Sequence, residues 1–228
     1  MTTLVTGAPG WLGNALVRRL CADGRKVRCL VYNQTSNEAE GALVSLGAEC
    51  VRGDILNPSS LEAALTGITT VFHAAAELHP LNARRLTAVN HQGTVNLSEA
   101  AVRAGVARFV HVSSISVHGY NNSENEPFTE AHRPNKLSVY GQSKWDGELA
   151  VRDLAQSGKL PAVVLRPGPY YGTGPSKGMK LLMKVASNVP VGQFDDGRFL
   201  RSLVHIEYVV DALLLAESSA FTNAEAFL

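Results

Sequence analysis

The chain has 228 residues, with 21 Lys and Arg against 20 Asp and Glu, for a formal net charge of +1; apolar residues make up 45% and charged ones 18%. That balance is typical of a soluble globular protein and excludes a disordered chain. The near-zero charge argues against a nucleic-acid binder and against a polybasic membrane anchor.

In chain order, strand-like runs alternate with segments of helical period. Thr2–Thr6, Val27–Tyr32, Glu49–Arg52, Thr70–His73, Arg108–Val112 and Ala162–Arg166 are short and rich in β-branched or apolar residues. Leu12, Leu16 and Leu20 recur every fourth residue, and Gly24 follows as a stop signal. Asn57-Pro58 opens a second helix with Leu61, Ala64 and Leu65 on one side. Val89, Gly93, Leu97 and Ala101 mark a longer one ending near Gly105. Asn121–Asn135 reads as a loop over one edge of the sheet. Strand–helix alternation of this kind predicts βαβ units, since parallel neighbours need a crossover that covers the sheet. The expected fold is α/β, a doubly wound parallel sheet of Rossmann type. The expected domains are residues 1–166, binding a dinucleotide, and residues 167–228, a partial substrate-binding lobe.

Cys21, Cys29 and Cys50 show no close pair in sequence, and read as reduced thiols. No basic flank or long apolar stretch precedes the first strand. The richest apolar region, Leu203 to Ala216, is broken by His205, Glu207 and Asp211, against a plain membrane span. The expected location is cytoplasmic, with no nucleic-acid or membrane partner. The seven histidines show no close pair at metal-ligand spacing, so no metal is expected.

The segment Thr6-Gly7-Ala8-Pro9-Gly10-Trp11-Leu12-Gly13 follows a strand and opens a helix. Gly7 can take the tight turn, Gly10 lets backbone approach a pyrophosphate, and Gly13 lets the helix pack closely on the strand. The free N–H groups at that helix start would face the phosphates. An acid usually takes the ribose hydroxyls roughly 20 residues on. Asn33 stands there instead, and no Lys or Arg lies between Asn33 and Arg52 to answer a 2′-phosphate. This favours NAD, with NADP not excluded. Asp54, in Gly53-Asp54-Ile55, is either an adenine contact or a turn aspartate.

Tyr140-Gly141-Gln142-Ser143-Lys144 places a phenol and an ammonium on one helix face. A nearby ammonium favours the phenolate of a group that ordinarily titrates near ~10. Ser113 and Ser114 end the fifth strand, where doubly wound sheets bind ligands. Asn90 is a poor helix former within a helical pattern, which suits a polar role. Tyr170, Tyr171 and Phe194 are candidates for a substrate pocket or for core packing.

Thr6–Gly13, Gly53-Asp54, His73-Ala74-Ala75, Asn90-x-x-Gly93-Thr94, Ser113-Ser114, Tyr140-x-x-x-Lys144 and Arg166-Pro167-Gly168 occur in this order over nearly the whole chain. Together they resemble an extended short-chain dehydrogenase/reductase, of the NAD-dependent epimerase/dehydratase superfamily. The resemblance implies Tyr140 as acid/base, with Lys144 lowering its pKa and binding the nicotinamide ribose. It implies Ser114, rather than Ser113, as the residue that positions the reacting oxygen, and Asn90 as support for the proton relay. It places the cofactor against Gly7, Pro9, Gly10, Trp11, Leu12, Gly13, Asn33, Asp54, Ile55, Ala74, Ala75, Ala76, Tyr140, Lys144 and Pro167. It implies a small-molecule substrate and a homodimer.

Within that resemblance, Ile115 follows Ser114 where dehydratases carry an acid. Leu165-Arg166-Pro167-Gly168-Pro169-Tyr170-Tyr171-Gly172 stands where nucleotide-sugar epimerases have an Arg-aromatic-Asn run. The pattern looks more like the 3β-hydroxysteroid dehydrogenase and dihydroflavonol-reductase branch. The expected reaction is therefore NAD(P)-dependent hydride transfer with a secondary alcohol or ketone. Nucleotide-sugar epimerisation is the alternative, and a non-catalytic dinucleotide-binding regulator the rival from another class. Against this family 228 residues is short. Ala226-Phe227-Leu228 reads like the start of a strand, so a truncated chain missing much of its substrate lobe is expected.

Overall fold

The computed structural model describes residues 2–78, 82–120, 127–174 and 202–228. Seven strands form one sheet in which every neighbouring pair is parallel: β1 (Thr2–Thr6), β2 (Lys26–Tyr32), β3 (Glu49–Gly53), β4 (Ile68–His73), β5 (Arg108–Val112), β6 (Ala162–Leu165) and β9 (Asn223–Phe227). Their order is β3-β2-β1-β4-β5-β6-β9. A separate two-stranded sheet pairs β7 (Tyr170–Tyr171) with β8 (Val204–His205). The doubly wound parallel sheet expected from the strand–helix alternation is the fold found.

Both faces are covered, so the strands read as near-continuous apolar runs. One face packs under α1 (Trp11–Ala22), α2 (Asn37–Ser45) and α7 (Ile206–Ser218), with Leu16, Leu20, Leu43, Val209 and Leu213 in that core. The other packs under α3 (Leu61–Leu65), α5 (Gly93–Arg103) and α6 (Val139–Gln156), with Leu61, Leu97, Phe109 and Val151 buried. Each such leucine removed from water contributes about 2 kcal/mol. The Leu12, Leu16, Leu20 period of α1 is the apolar stripe that faces the sheet, and all three are buried.

The differences from the sequence expectation have local causes. The helix expected from Val89 is interrupted. A short α4 (Ala83–Thr87) runs into a π-helical turn at Ala88–Gln92, and only then into α5. The wider turn draws Asn90 fully into the interior, and such insertions often accompany functional sites. Asn57-Pro58 opens a 3₁₀ turn, Pro58–Ser60, ahead of the short α3. Helix α2 has a sequence signal that periodicity alone passes over: Ser36 caps it by accepting from the Ala39 N–H at 3.2 Å. Of the expected loop at Asn121–Asn135, residues 121–126 lie outside the described residues, and Asn135 forms a bridge with Gly119. Residues 206–227, which the sequence reading placed beyond residue 166, cover and extend the main sheet: α7 packs on its first face and β9 pairs with β6. Among the described residues no helix is long and apolar enough to cross a membrane.

Strand order reverses at the β1/β4 pair, and this opens a crevice at the carboxyl ends of those strands. The turn after β1, the loop after β4 and the end of β5 converge there.

Candidate functional site

The turn after β1 is closed by its glycines. Gly7 has φ +85°, and a Cβ on it would stand 2.5 Å from the Ala74 carbonyl carbon and 2.6 Å from the Ala75 nitrogen. A Cβ on Gly10 or on Gly13 would stand 2.6 Å from the Gly7 carbonyl oxygen. All three glycines are therefore required by the turn's own backbone, including Gly10, whose hydrogen lets its N–H reach the Gly7 carbonyl at 2.8 Å. Helix α1 begins at Trp11 with Gly10 as N-cap, no side-chain cap and no acid in its first turn. By contrast α2, α6 and α7 are capped by Ser36, Ser138 and His205. The first N–H groups of α1 thus face the crevice uncapped, which suits the diphosphate of a dinucleotide.

Ala74 and Ala75 lie against the turn, and the Ala75 N–H donates to Thr6 Oγ1 at 3.2 Å; Ala76 is exposed next to them. Pro9 stands in the turn, and Pro167 accepts from the Ile115 N–H at 3.1 Å beside the end of β5. The side chains of Leu12, Ile55 and Asp54 are occupied elsewhere. Leu12 is in the core, Ile55 packs where Gly93 has no side chain, and Asp54 accepts from the Leu56 N–H at 2.9 Å. That bond gives Asp54 a turn contact through one carboxylate oxygen, Oδ1. Trp11 donates its indole N–H to the Thr173 carbonyl at 3.0 Å, with its ring 5.1 Å from that of Tyr170.

Asn33 is exposed at the end of β2, and here the structure corrects the sequence reading. A cation does answer this position. Arg52, opposite Val31 in the β2–β3 register, donates to the Asn33 carbonyl at 3.0 Å. The same guanidinium bonds Asn37 Oδ1 at 3.0 Å and Glu40 at 2.5 Å. The lack of a nearby Lys or Arg in sequence therefore does not carry the preference for NAD. Parallel pairing also sets Cys29 opposite Cys50, and both thiols are free.

At the end of β5 the two serines differ. Ser113 is buried and donates to Glu148 Oε2 at 2.7 Å. Ser114 accepts from the Ser116 N–H at 3.1 Å, and its hydroxyl stands near enough to the Tyr140 phenol to act on its pKa. Ser138 fixes the start of α6 by accepting from Gly141 N–H at 3.0 Å, and a Cβ on Gly141 would sit 2.5 Å from the Ser116 carbonyl oxygen. That close approach seats the first turn of α6 on the 3₁₀ turn Ile115–His118, which follows Ser114. Burial pushes the Tyr140 phenol above its ordinary pKa, and the Ser114 hydrogen bond pulls the other way.

Lys144, one turn on from Tyr140, is buried and donates to the Val112 carbonyl at 2.7 Å. Burial brings its pKa down to about 8, against the opposing pull of Glu148. The group that lowers the phenol is thus Ser114, while Lys144 uses one of its three N–H bonds on the Val112 carbonyl. Asn90 is committed on both ends of its amide. Its Oδ1 accepts from Glu77 N–H at 2.8 Å, and its Nδ2 donates to the Glu77 carbonyl and to Ser143 Oγ, both at 3.0 Å. It clamps the loop after β4 to α6.

Glu148 was not singled out by the sequence reading. It is fully buried and gathers Ser113, Arg152 and Arg166, the last at 2.6 Å. Its place four residues beyond Lys144, on the same helix face, was the available signal. A cavity of about 520 Å³ lies beside this network, lined by Glu130, His132, Trp145, Arg152 and Arg166 among others, and holds none of Ser114, Tyr140 or Lys144. Tyr170 is partly buried near Tyr140, and Tyr171 is more exposed, edge-on to His205. Phe194 and His79 lie outside the described residues.

The model of the NAD dependent epimerase/dehydratase family matches residues 3–225. A UDP-glucose 4-epimerase of Vibrio cholerae is 31% identical over 220 residues, covering 92% of this chain and 65% of that protein. A 3 beta-hydroxysteroid dehydrogenase/Delta 5-->4-isomerase of Mycobacterium tuberculosis is 33% identical over 239 residues, covering 95% and 62%. Among solved structures, a dTDP-glucose 4,6-dehydratase from Streptomyces venezuelae with NAD and TYD bound superposes with a TM-score of 0.86 at 29% identity, covering 100% of this chain and 74% of that one. This chain thus spans under two thirds of the length of these curated relatives. The likeness extends over sugar-nucleotide enzymes and does not single out the steroid-dehydrogenase branch, so the narrower branch assignment from the Arg166–Gly172 pattern is not upheld.

Proposed function

The chain belongs to the NAD dependent epimerase/dehydratase family, and on that premise we propose that its Ser114–Tyr140–Lys144 centre serves a reversible oxidation at a secondary carbinol carbon of a sugar nucleotide, with NAD as cofactor. The observation that carries this is the Tyr140 phenol set beside Ser114 at the end of β5, where Ser114 draws its pKa down, with buried Lys144 one helical turn on. NAD bound at the crevice supplies the acceptor and donor of the hydride.

Gly7, Gly10 and Gly13 shape the turn, and the uncapped start of α1 receives the phosphates. Ser114 holds the substrate oxygen by hydrogen bonding. Tyr140 Oη takes the hydroxyl proton as the carbinol is oxidised and returns it to the ketone oxygen on reduction. Lys144, with two N–H bonds left beyond the one to the Val112 carbonyl, takes the nicotinamide ribose hydroxyls. Return of hydrogen to the opposite face of the same carbon is epimerisation, with no net change in NAD. The mutual commitment of Asn90, Ser143 and Glu77 keeps α6 in register with the loop after β4. A homodimer in the cytoplasm completes the proposal.

Simple alcohol or ketone redox is the second reading. It is favoured by the stretch Leu165–Gly172, which holds no Arg-aromatic-Asn run. One experiment separates the two. Purified protein is incubated with NAD and UDP-glucose, with the sugar followed by NMR and NADH by absorbance. Epimerised sugar without net NADH supports the proposal. Net NADH formation on alcohols alone supports the second reading, and cofactor binding without any turnover supports a regulator.

A further inference from the structure

Beneath the crevice a line of buried side chains joins the loop after β4 to the π-helical turn. Ala75 N–H reaches Thr6 Oγ1 at 3.2 Å, and Thr6 Oγ1 lies 2.8 Å from His73 Nδ1. His73 Nε2 lies 2.9 Å from Thr94 Oγ1, which donates to the Asn90 carbonyl at 2.8 Å. Thr6, His73, Thr94 and Asn90 are all buried, at 1% exposure or less.

Proton bookkeeping gives this line a single direction. The Asn90 carbonyl can only accept, so the one hydroxyl hydrogen of Thr94 goes to it. Thr94 Oγ1 then meets His73 with a lone pair, so Nε2 must carry the proton and donate. A neutral imidazole has one N–H, which leaves Nδ1 as an acceptor. Thr6 therefore donates to Nδ1, and its oxygen accepts from Ala75 N–H. With the proton on Nδ1 instead, either two lone pairs would face each other at Nε2 or Thr94 would abandon the Asn90 carbonyl. In both cases the Thr6 hydrogen would lose the ring as its acceptor. Burial, then the charge of Lys144, push the His73 pKa down to about 3, so the ring is neutral across the ordinary pH range.

We infer that His73 is a positioning residue for cofactor binding. It is a neutral Nε2–H ring at the centre of a one-way hydrogen-bond chain, fixing the Ala75 peptide against the phosphate turn at one end and the Asn90 carbonyl at the other. The Ala75 end bears on the cofactor because Gly7 packs directly on the Ala74–Ala75 peptide. The Asn90 end bears on the catalytic helix because the amide of the same residue holds Ser143. The cofactor half of this inference rests on the function proposed above, and the hydrogen-bond chain does not.

The test uses the whole chain labelled with ¹⁵N. Long-range imidazole spectra are expected to show His73 as a neutral Nε2–H ring that does not titrate between about pH 5 and about pH 8. An Nδ1–H ring, or an imidazolium in that range, overturns the chain. Thr6→Val, which keeps the shape and removes the hydroxyl, is expected to weaken NADH binding about tenfold and to let the Nδ1–H form appear. Thr6→Ser is expected to restore both, which a loss of packing alone would not predict. NADH affinity unchanged in Thr6→Val overturns the positioning role. Wild-type protein that fails to bind NADH overturns the cofactor half together with the reading it rests on, while the ring spectrum still decides the chain.

Discussion

Lys144→Met is expected to make the protein more stable and to abolish its chemistry. Lys144 is 2% exposed, and its pKa falls from 10.5 to about 8, with burial as the largest cause. At about 1.4 kcal/mol per pH unit, the buried charge costs the native state about 3 kcal/mol. Methionine fills similar space without charge, and the lost bond to the Val112 carbonyl returns about 1 kcal/mol of that. The expected net gain at pH 7 is about 2 kcal/mol. The sign can be followed with pH. Below about 8 the lysine is charged in both native and unfolded states, so the full penalty is present. Between about 8 and 10.5 the native state has lost the proton and the unfolded state has not, so stability rises with pH. The advantage of the variant should therefore shrink across that window. Urea unfolding of both proteins at pH 7 and at about pH 10 reads this difference directly. A variant less stable than wild type at pH 7, or a gap that does not change with pH, would refute the reasoning.

Tyr140→Phe leaves the turn after β1 untouched, so NADH titration should give an unchanged affinity while turnover falls about 10²- to 10⁴-fold. Turnover near wild type would remove Tyr140 from the acid/base role. Gly13→Ala puts a methyl 2.6 Å from the Gly7 carbonyl oxygen and 2.8 Å from the Ala8 nitrogen. Backbone must shift, and calorimetry should show about 1–3 kcal/mol lost together with NADH affinity. Glu148→Gln leaves Arg166 buried without its carboxylate, and denaturant unfolding should show a loss of about 3 kcal/mol. Burial pushes the Glu148 carboxyl up, but the Arg166 bond and charge, Ser113 and Arg152 outweigh it and hold it below the ordinary range. Its stabilising contribution is therefore present above that range and lost as pH falls through the lowered value, a fall the Gln variant should not show.

The parts of the molecule that were legible in the sequence are those set by neighbours along the chain. Strand β1, the α1 stripe, β5 and the Gly7–Gly13 turn follow from local composition and period, and they stand at or near the expected residues. The one-turn spacing of Tyr140 and Lys144 is equally local. What was not legible depends on pairing between distant segments. Arg52 meets Asn33 because β2 and β3 lie in register, and no spacing rule announces a contact across 19 residues. Cys29 and Cys50 come together for the same reason. The side-chain roles of Asp54 and Leu12 turned on what else could compete for them, a turn N–H in one case and the core in the other. Asn90 is a poor helix former, and the structure supplies the cause of its place: its amide meets three partners, and the wider π-helical turn draws it inside.

The two faces of the sheet also differ in kind, and the difference locates where stability is given up. The face under α1 and α7 brings together Val5, Leu16, Val31, Val110 and Leu213. Toward α5 and α6, by contrast, β4 and β5 present His73 and His111, their rings 5.3 Å apart, and α6 brings buried Lys144 and Glu148. Among the described residues His111 has no hydrogen-bond partner on either ring nitrogen, and burial, Lys144 and His73 hold it neutral. An unmade buried hydrogen bond costs about 1–3 kcal/mol, so a sequence chosen for stability alone would place an aliphatic residue there. Local rules are broken together on one side of one strand end, below Tyr140 and Ser114. Such breaks are expected to gather where a site must hold charge and polar groups out of water. The polar layer thus lies beneath the end of β5: Glu148 anchors Arg166 and Ser113, His73 links Thr6 to Thr94, and Lys144 is held out of water on the Val112 carbonyl.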